Sequence, residues 1–188
     1  MGRIFLAALV GALVAFLWGF LAWGLLKIYT PAFKPLPNEQ AVVAALKADI
    51  PQTGAYVFPA EPSNMNDKAA MDAYAAKHRA GPIGMVMFRA QGIEPMHWSM
   101  MVRGYLVFFV AAMLMSCVMV AGKMRTFGLR LGFAIIMAAF AVMVSHISNW
   151  NWMLTPDKYA AAMAVDVMIG WTLAGVAVAA IIKPAPAA

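Results

Sequence analysis

Four long apolar runs constrain this chain more than any other feature of its sequence. They cover residues 4–28, 102–121, 127–147 and 159–182, and each approaches or exceeds the roughly 20 residues that an α-helix needs to cross a bilayer. The composition agrees, because 64% of the residues are hydrophobic and 12% are charged, whereas a soluble domain carries about 25% charged residues. The sequence therefore predicts an all-α membrane protein whose core is a four-transmembrane-helix bundle.

The first apolar run has the length of a membrane anchor and not of a signal-peptide core. It exceeds the roughly 7 to 15 residues of such a core and does not end in a convincing cleavage site, so we expect it to be retained. Small residues recur along it at every fourth position: Ala7, Gly11, Ala15 and Gly19. Residues at this spacing share one stripe of a helix and allow another backbone to approach closely. We predict that this stripe packs against another helix.

The distribution of charged residues predicts the orientation in the membrane. Cationic residues without acidic neighbours flank one set of helix ends: Arg3, Lys123, Arg125, Arg130 and Lys183. Cytoplasmic loops carry such an excess of Lys and Arg, so both termini are predicted in the cytoplasm, with the chain as a multi-pass protein of the cell inner membrane. Residues 29–102 instead carry six basic and six acidic side chains, which is compatible with translocation.

Residues 29–101, between the first two runs, are predicted to form a small α+β cap on the extracytoplasmic side. Asn38 stands where an N-cap belongs, ahead of apolar residues at helical spacing. Two helices and two strands are predicted, at residues 39–47, 67–78, 55–58 and 83–88. Elements this short bury little apolar area, so we expect the cap to dock on the membrane surface or on a partner.

Asp166 is the one acidic residue within an apolar run. A carboxylate in the middle of a membrane helix costs about 2.5 to 3.5 kcal/mol on insertion scales and is commonly functional. In the predicted topology His146 and Arg103 reach a similar depth, so the three are predicted to form an intramembrane polar cluster. One hypothesis is a small proton-coupled transporter that uses Asp166. The other is a self-satisfied pair of Asp166 with Arg103 or His146 that fixes the helix register.

Two histidines raise the hypothesis of a haem- or copper-binding redox protein. His97 and His146 are candidate haem ligands if both imidazoles face one cavity. Met96, His97 and Met100 are candidate soft ligands for copper(I). The chain contains 17 methionines, however, and methionine fills apolar space without any ligand. The favoured interpretation includes neither cofactor. The single cysteine, Cys117, excludes a metal site of the CxxC type.

The sequence carries no GxSxG, HExxH, GxxxxGK[ST] or GxGxxG motif. Its formal charge of +6 is scattered along helix ends, which fits membrane orientation and not a nucleic-acid partner. We therefore expect a small non-catalytic integral membrane protein, an accessory or structural subunit of a larger membrane complex. Its expected partners are the lipid bilayer and other membrane subunits or further copies of itself.

Overall fold

The structure is a computed structural model that describes residues 1–182, and it comprises two compact units. The four-helix unit consists of Met1–Lys34 and the chain from Pro95 onward, and the small unit is Pro35–Glu94. Lys183, one of the cationic residues used to predict the orientation, lies outside the described residues.

Within residues 1–182, four helices are long and apolar enough to cross a membrane: Gly2–Leu25, Trp98–Ala121, Phe127–Trp152 and Asp157–Ile181. The chain therefore has the four candidate spans of a multi-pass membrane protein, as the apolar runs predict. The second of these helices begins four residues before the predicted range. This happens because the side chain of His97 accepts the backbone N–H of Ser99 and caps the helix ahead of the apolar run.

Two of the four long helices contain a π-helical turn. The first consists of α1 (Gly2–Phe20) and the turn Leu21–Leu25. The third consists of α5 (Phe127–Val142), the turn Met143–Ile147 and α6 (Ser148–Trp152). Such turns are rare and are frequently found at functional sites.

In the small unit, α2 (Glu39–Asp49) begins at Asn38, whose side chain accepts the backbone N–H of Ala41. Strand β1 (Gly54–Phe58) follows. The next helix, α3 (Lys68–Ala80), is capped by Asp67, and strand β2 (Gly84–Phe88) completes the unit. The strands pair antiparallel with Tyr56 opposite Val86. The small α+β unit predicted from the sequence is therefore present.

The remaining long helices are α4 (Trp98–Ala121) and α7 (Asp157–Ile181). Helices α1 and α7 pack against each other, α4 packs on α1, and α5 packs on α7. By contrast, α4 and α5 make few contacts with each other although a short turn joins them. The four helices are thus arranged in the order α4, α1, α7, α5, with an opening between the first and the last.

Small residues form the contacts along this row. Gly11 of α1 faces Val178 of α7 and Ala112 of α4, and a Cβ at residue 11 would lie 2.6 Å from Cγ2 of Val178. Gly175 of α7 faces Ala134 of α5. Burial alone gives little drive for association in lipid, so close approach of backbones supplies much of the packing energy.

Candidate functional site

A polar contact between distant segments of the four-helix unit surrounds Asp166 on α7. The indole Nε1–H of Trp18 donates to one carboxylate oxygen at 2.7 Å. The hydroxyl group of Tyr29 donates to the other oxygen. The carboxylate therefore has a donor on each oxygen, and both donors come from the first 30 residues of the chain. These bonds tie α7 to α1 and to the segment that follows it.

Gly170, one helical turn after Asp166, makes room for this contact. A Cβ at residue 170 would lie 2.7 Å from Cδ1 of Trp18, so any larger residue would push the indole away. Glycine in a helix interior costs about 1 kcal/mol relative to alanine. Here it allows the ring to lie against the backbone of α7 and to reach the carboxylate.

Aromatic rings surround Tyr29, which is only 3% exposed. The ring of Trp23 stacks on it at a centroid distance of 3.8 Å, and Phe33 packs edge-on against Tyr159 at 5.7 Å. Burial raises the pKa of the Tyr29 hydroxyl, and the hydrogen bond to Asp166 and its charge raise it further. Tyr29 therefore stays protonated and acts as a donor at neutral pH.

The two π-helical turns contribute residues to the surroundings of Asp166. Trp23, which stacks on Tyr29, belongs to the turn Leu21–Leu25. His146 belongs to the turn Met143–Ile147, which packs against α7. His146 is half-buried, and its turn lies against the helix that carries Asp166.

Arg103, the third residue of the predicted cluster, contacts a different group. It is exposed, and its Nε–H donates to the backbone carbonyl of Ser99 at 3.1 Å. Among residues 1–182 the hydrogen-bond partners of Asp166 are Trp18 and Tyr29. Sequence reasoning missed both. Trp18 lies ten residues from the C-terminal end of its apolar run, and a tryptophan that far from the end of a membrane helix is a signal that its N–H has a partner.

Most of the small-residue stripe of α1 is buried, but its last residue is not. Ala7, Gly11 and Ala15 are buried. Gly19 is only half-buried, and a Cβ at that position would meet no atom within 4 Å. The predicted helix-packing residues therefore include three that lie in a contact and one that does not.

The residues proposed for haem or copper have ordinary structural surroundings. The Nδ1 atom of His97 accepts the N–H of Ser99 at 3.3 Å and lies 2.8 Å from the Ser99 hydroxyl. Met96 and Met100 are exposed. In the described part of the chain no three His, Cys, Asp or Glu side chains form a metal-binding group. The haem and copper hypotheses stay predictions.

Arg130 also makes polar contacts inside the four-helix unit, and sequence reasoning did not identify it as a site residue. It is buried near the start of α5, and its Nε–H donates to the carbonyl of Ala179 on α7 at 2.9 Å. Its Nη1 donates to the carbonyls of Met124 and Arg125 at 2.9 and 3.0 Å. A cation is favourable near the C-terminal end of a helix. Arg130 thus holds the α4–α5 turn against the end of α7.

The small unit presents an apolar sheet face. The pairing places Ala55 opposite Met87 and Val57 opposite Met85, and side chains two residues apart on a strand share a face. This sheet face, defined by Ala55, Val57, Met85 and Met87, is exposed: Val57 to 57% and Met87 to 73%. None of residues 35–94 is fully buried.

Comparisons with protein-family models, with curated proteins and with solved structures found no match to this chain.

Proposed function

We propose that this chain is a small non-catalytic accessory subunit of a larger complex in the cell inner membrane. The observation that carries the proposal is the exposed apolar sheet face of the small unit. In this proposal both termini lie in the cytoplasm, the small unit lies on the opposite side of the membrane, and its sheet face binds another subunit.

The sheet face supports binding because the small unit cannot bury it internally. A sheet of only two strands is marginal in water, and it gains stability when another layer covers its apolar face. Here α2, α3 and both strands contain no buried residue. Contiguous exposed apolar surface of this kind marks interaction sites, and a partner would provide the missing layer.

The charge of the small unit favours a protein partner over an anionic membrane surface. Residues 35–94 carry five basic and six acidic side chains. A segment that binds anionic lipid through charge gains about 1 kcal/mol per Lys or Arg near the surface and is accordingly rich in these residues. The near-neutral small unit lacks that advantage, whereas an apolar face with polar surroundings is typical of a protein interface.

The four-helix unit supports a structural role because its polar groups are used to hold the helices together. Asp166 and Arg130 join different segments, as described above, whereas the hydroxyl of Ser116 is satisfied within α4 by the Ala112 carbonyl at 2.7 Å. Among the described residues no buried side-chain nitrogen or oxygen lacks a hydrogen-bond partner. Polar atoms with satisfied partners hold helix register.

Co-purification with a matched pair of variants tests this proposal. Tagged protein is extracted from its native membranes in mild detergent as the parent, as Met87→Asp and as Gln91→Asp. Both substitutions add one negative charge to the small unit at an exposed position, but only residue 87 lies on the sheet face. We expect a stoichiometric second protein with the parent and with Gln91→Asp, and its loss with Met87→Asp. A parent that purifies alone as a monodisperse species contradicts the proposal, as does a partner retained by Met87→Asp.

A second candidate function, a proton-coupled carrier built around Asp166, is favoured by the two π-helical turns near that residue. A carboxylate within a candidate span, bonded to a buried tyrosine and close to a histidine, has the composition of a proton relay. The test compares Asp166→Asn with the parent in proton-flux measurements on proteoliposomes. The carrier hypothesis requires proton flux in the parent that is lost in the variant, and equal flux in both removes its support.

A further inference from the structure

An apolar crevice lies between α4 and α5, where the row of helices is open. Its volume is about 310 Å³. Leu114 and Val118 line it from α4, Phe133 and Met137 line it from α5, and Trp171 of α7 also contributes. The contacts of Asp166 and Arg130 described above do not involve these five residues, so the crevice is a separate feature of the four-helix unit.

The chemistry of the crevice indicates what it accommodates. Its lining side chains are aliphatic, aromatic and thioether, which matches a hydrocarbon chain in polarity. The crevice is partly open, so a flexible acyl chain can enter it from the surrounding lipid.

The turn that joins the two main walls of the crevice carries positive charge. Val118, which lines the crevice, lies in the last turn of α4, three residues before that helix ends at Ala121. Lys123 and Arg125, both in the turn between α4 and α5, are exposed. No acidic residue occurs between residues 98 and 156, so no carboxylate of α4, of α5 or of the turn between them offsets the two cations. Arg130 is already bonded to three carbonyls.

We propose that the α4–α5 crevice is a binding site for an anionic phospholipid. One acyl chain lies in the crevice between Leu114, Phe133 and Trp171, and the phosphate lies against Lys123 and Arg125. Basic residues at the mouth of a pocket between membrane helices suit such head groups. This site is independent of the sheet face, and its failure would leave the proposed function intact.

Native mass spectrometry of the protein in mild detergent tests the proposal. The delipidated chain is mixed with phosphatidylglycerol or with phosphatidylcholine of identical acyl chains, and the bound fraction is measured against lipid concentration. Two cations, each worth about 1 kcal/mol at a membrane surface, predict about 10- to 30-fold tighter binding of phosphatidylglycerol. Equal affinity of the parent for the two lipids overturns the proposal without any variant.

Two variants with matched controls separate the head group from the acyl chain. Lys123 has a φ angle of 49°, and asparagine tolerates this conformation well, so the charge is removed as Lys123→Asn with Arg125→Gln. We expect this variant to bind both lipids with nearly equal affinity, whereas Lys158→Gln, which removes a charge at the start of α7, keeps the preference. An unchanged preference after loss of both turn cations overturns the assignment of the head group.

The acyl-chain contact is tested by filling the crevice. Ala111 also lines it, and Ala111→Phe is expected to weaken the binding of both lipids at least several-fold. Leu106→Phe, at an exposed position of the same helix outside the lining residues, is expected to leave both affinities unchanged. Size-exclusion profiles and helical circular dichroism establish that each variant is folded. Folded Ala111→Phe protein with parental affinity for both lipids overturns the assignment of the acyl chain.

Discussion

The two units of this chain are stabilised in contrasting ways. In the four-helix unit a cluster of fully or almost fully buried residues, including Ala8, Met119 and Val178, joins α1, α4, α5 and α7. In the small unit every residue remains at least partly exposed, although its helices are capped and its strands are paired. The first unit has a packed interior, whereas the second has regular backbone structure without one.

This difference shows that a sequence can specify where helices and strands begin and end without specifying a buried core. Caps such as Asn38 and Asp67 each contribute about 1 kcal/mol and define where a helix begins. They do not provide the burial that stabilises a domain in water, where roughly 25 cal/mol is gained per Å² of apolar area. We infer that the four-helix unit is stable by itself and that the small unit gains its stability from what it binds.

The largest expected effect of a single substitution lies in the buried cluster. Met119 is 0% exposed, and truncating a fully buried methionine to alanine costs about 2–5 kcal/mol. We expect Met119→Ala to lower the free energy of unfolding by that amount in a titration with denaturing detergent, followed by circular dichroism. Val110→Ala, at a largely exposed position of the same helix, is the control and is expected to cost much less. An equal loss of unfolding free energy in the two variants would contradict the burial of Met119 in the cluster.

The next largest effect on stability is expected at the close contact between α5 and α7. A Cβ at residue 175 would overlap the Cβ of Ala134, whereas one at residue 132 would meet no atom within 4 Å. Overpacking of this kind costs about 1–3 kcal/mol, so Gly175→Ala is expected to destabilise the four-helix unit in the same titration. Gly132→Ala is expected to be neutral or slightly stabilising, because alanine favours the helix. A neutral Gly175→Ala would show that α5 and α7 do not approach as described.

The bonds to Asp166 are expected to contribute less. Tyr29→Phe removes one donor from the carboxylate, and the loss of a hydrogen bond to a charged group in a membrane protein corresponds to about 1–2 kcal/mol. Asp166→Leu removes the acceptor of the same hydrogen bond, so the effect of Tyr29→Phe should largely disappear in an Asp166→Leu background. Tyr159→Phe, at an aromatic neighbour of this segment, provides the control. Additive effects of the two substitutions would contradict the Tyr29–Asp166 bond.

The smallest effect on stability is expected on the sheet face. Met87 is 73% exposed, and substitutions at such positions usually change stability by less than about 0.5 kcal/mol. Met87→Ala should therefore leave the unfolding of the isolated protein unchanged and weaken binding to the partner subunit that the proposed function requires. The comparison of unfolding curves and co-purified partner checks both statements. Destabilisation of the isolated protein by more than about 1 kcal/mol would show that the face is already covered.

Much of the architecture could be predicted from the sequence because the relevant signals are local. The four apolar runs identify four long helices, and Asn38 identifies the start of α2. The two short strands follow from apolar and β-branched residues between prolines and glycines. These features depend on residues close together in the chain, so no knowledge of the packing is needed to find them.

The contacts of the polar residues could not be predicted in this way, because they depend on which helices are neighbours. Trp18 and Asp166 are 148 residues apart, and Arg130 and Ala179 are 49 apart. The predicted topology placed Arg103 and Asp166 at a similar depth in the membrane. Depth does not determine which face of a helix meets which neighbouring helix. The opening between α4 and α5 is likewise unexpected for two helices joined by a short turn.

The most direct test of the central difference between the two units is amide hydrogen exchange followed by mass spectrometry. The protein is measured alone in mild detergent and again within the purified complex that the proposed function requires. We expect peptides of α1 and α7 to be protected in both samples. We expect peptides that contain Gly54–Phe58 and Gly84–Phe88 to exchange rapidly in the isolated protein and to become protected in the complex. Strands as strongly protected as the long helices in the isolated protein would contradict the account.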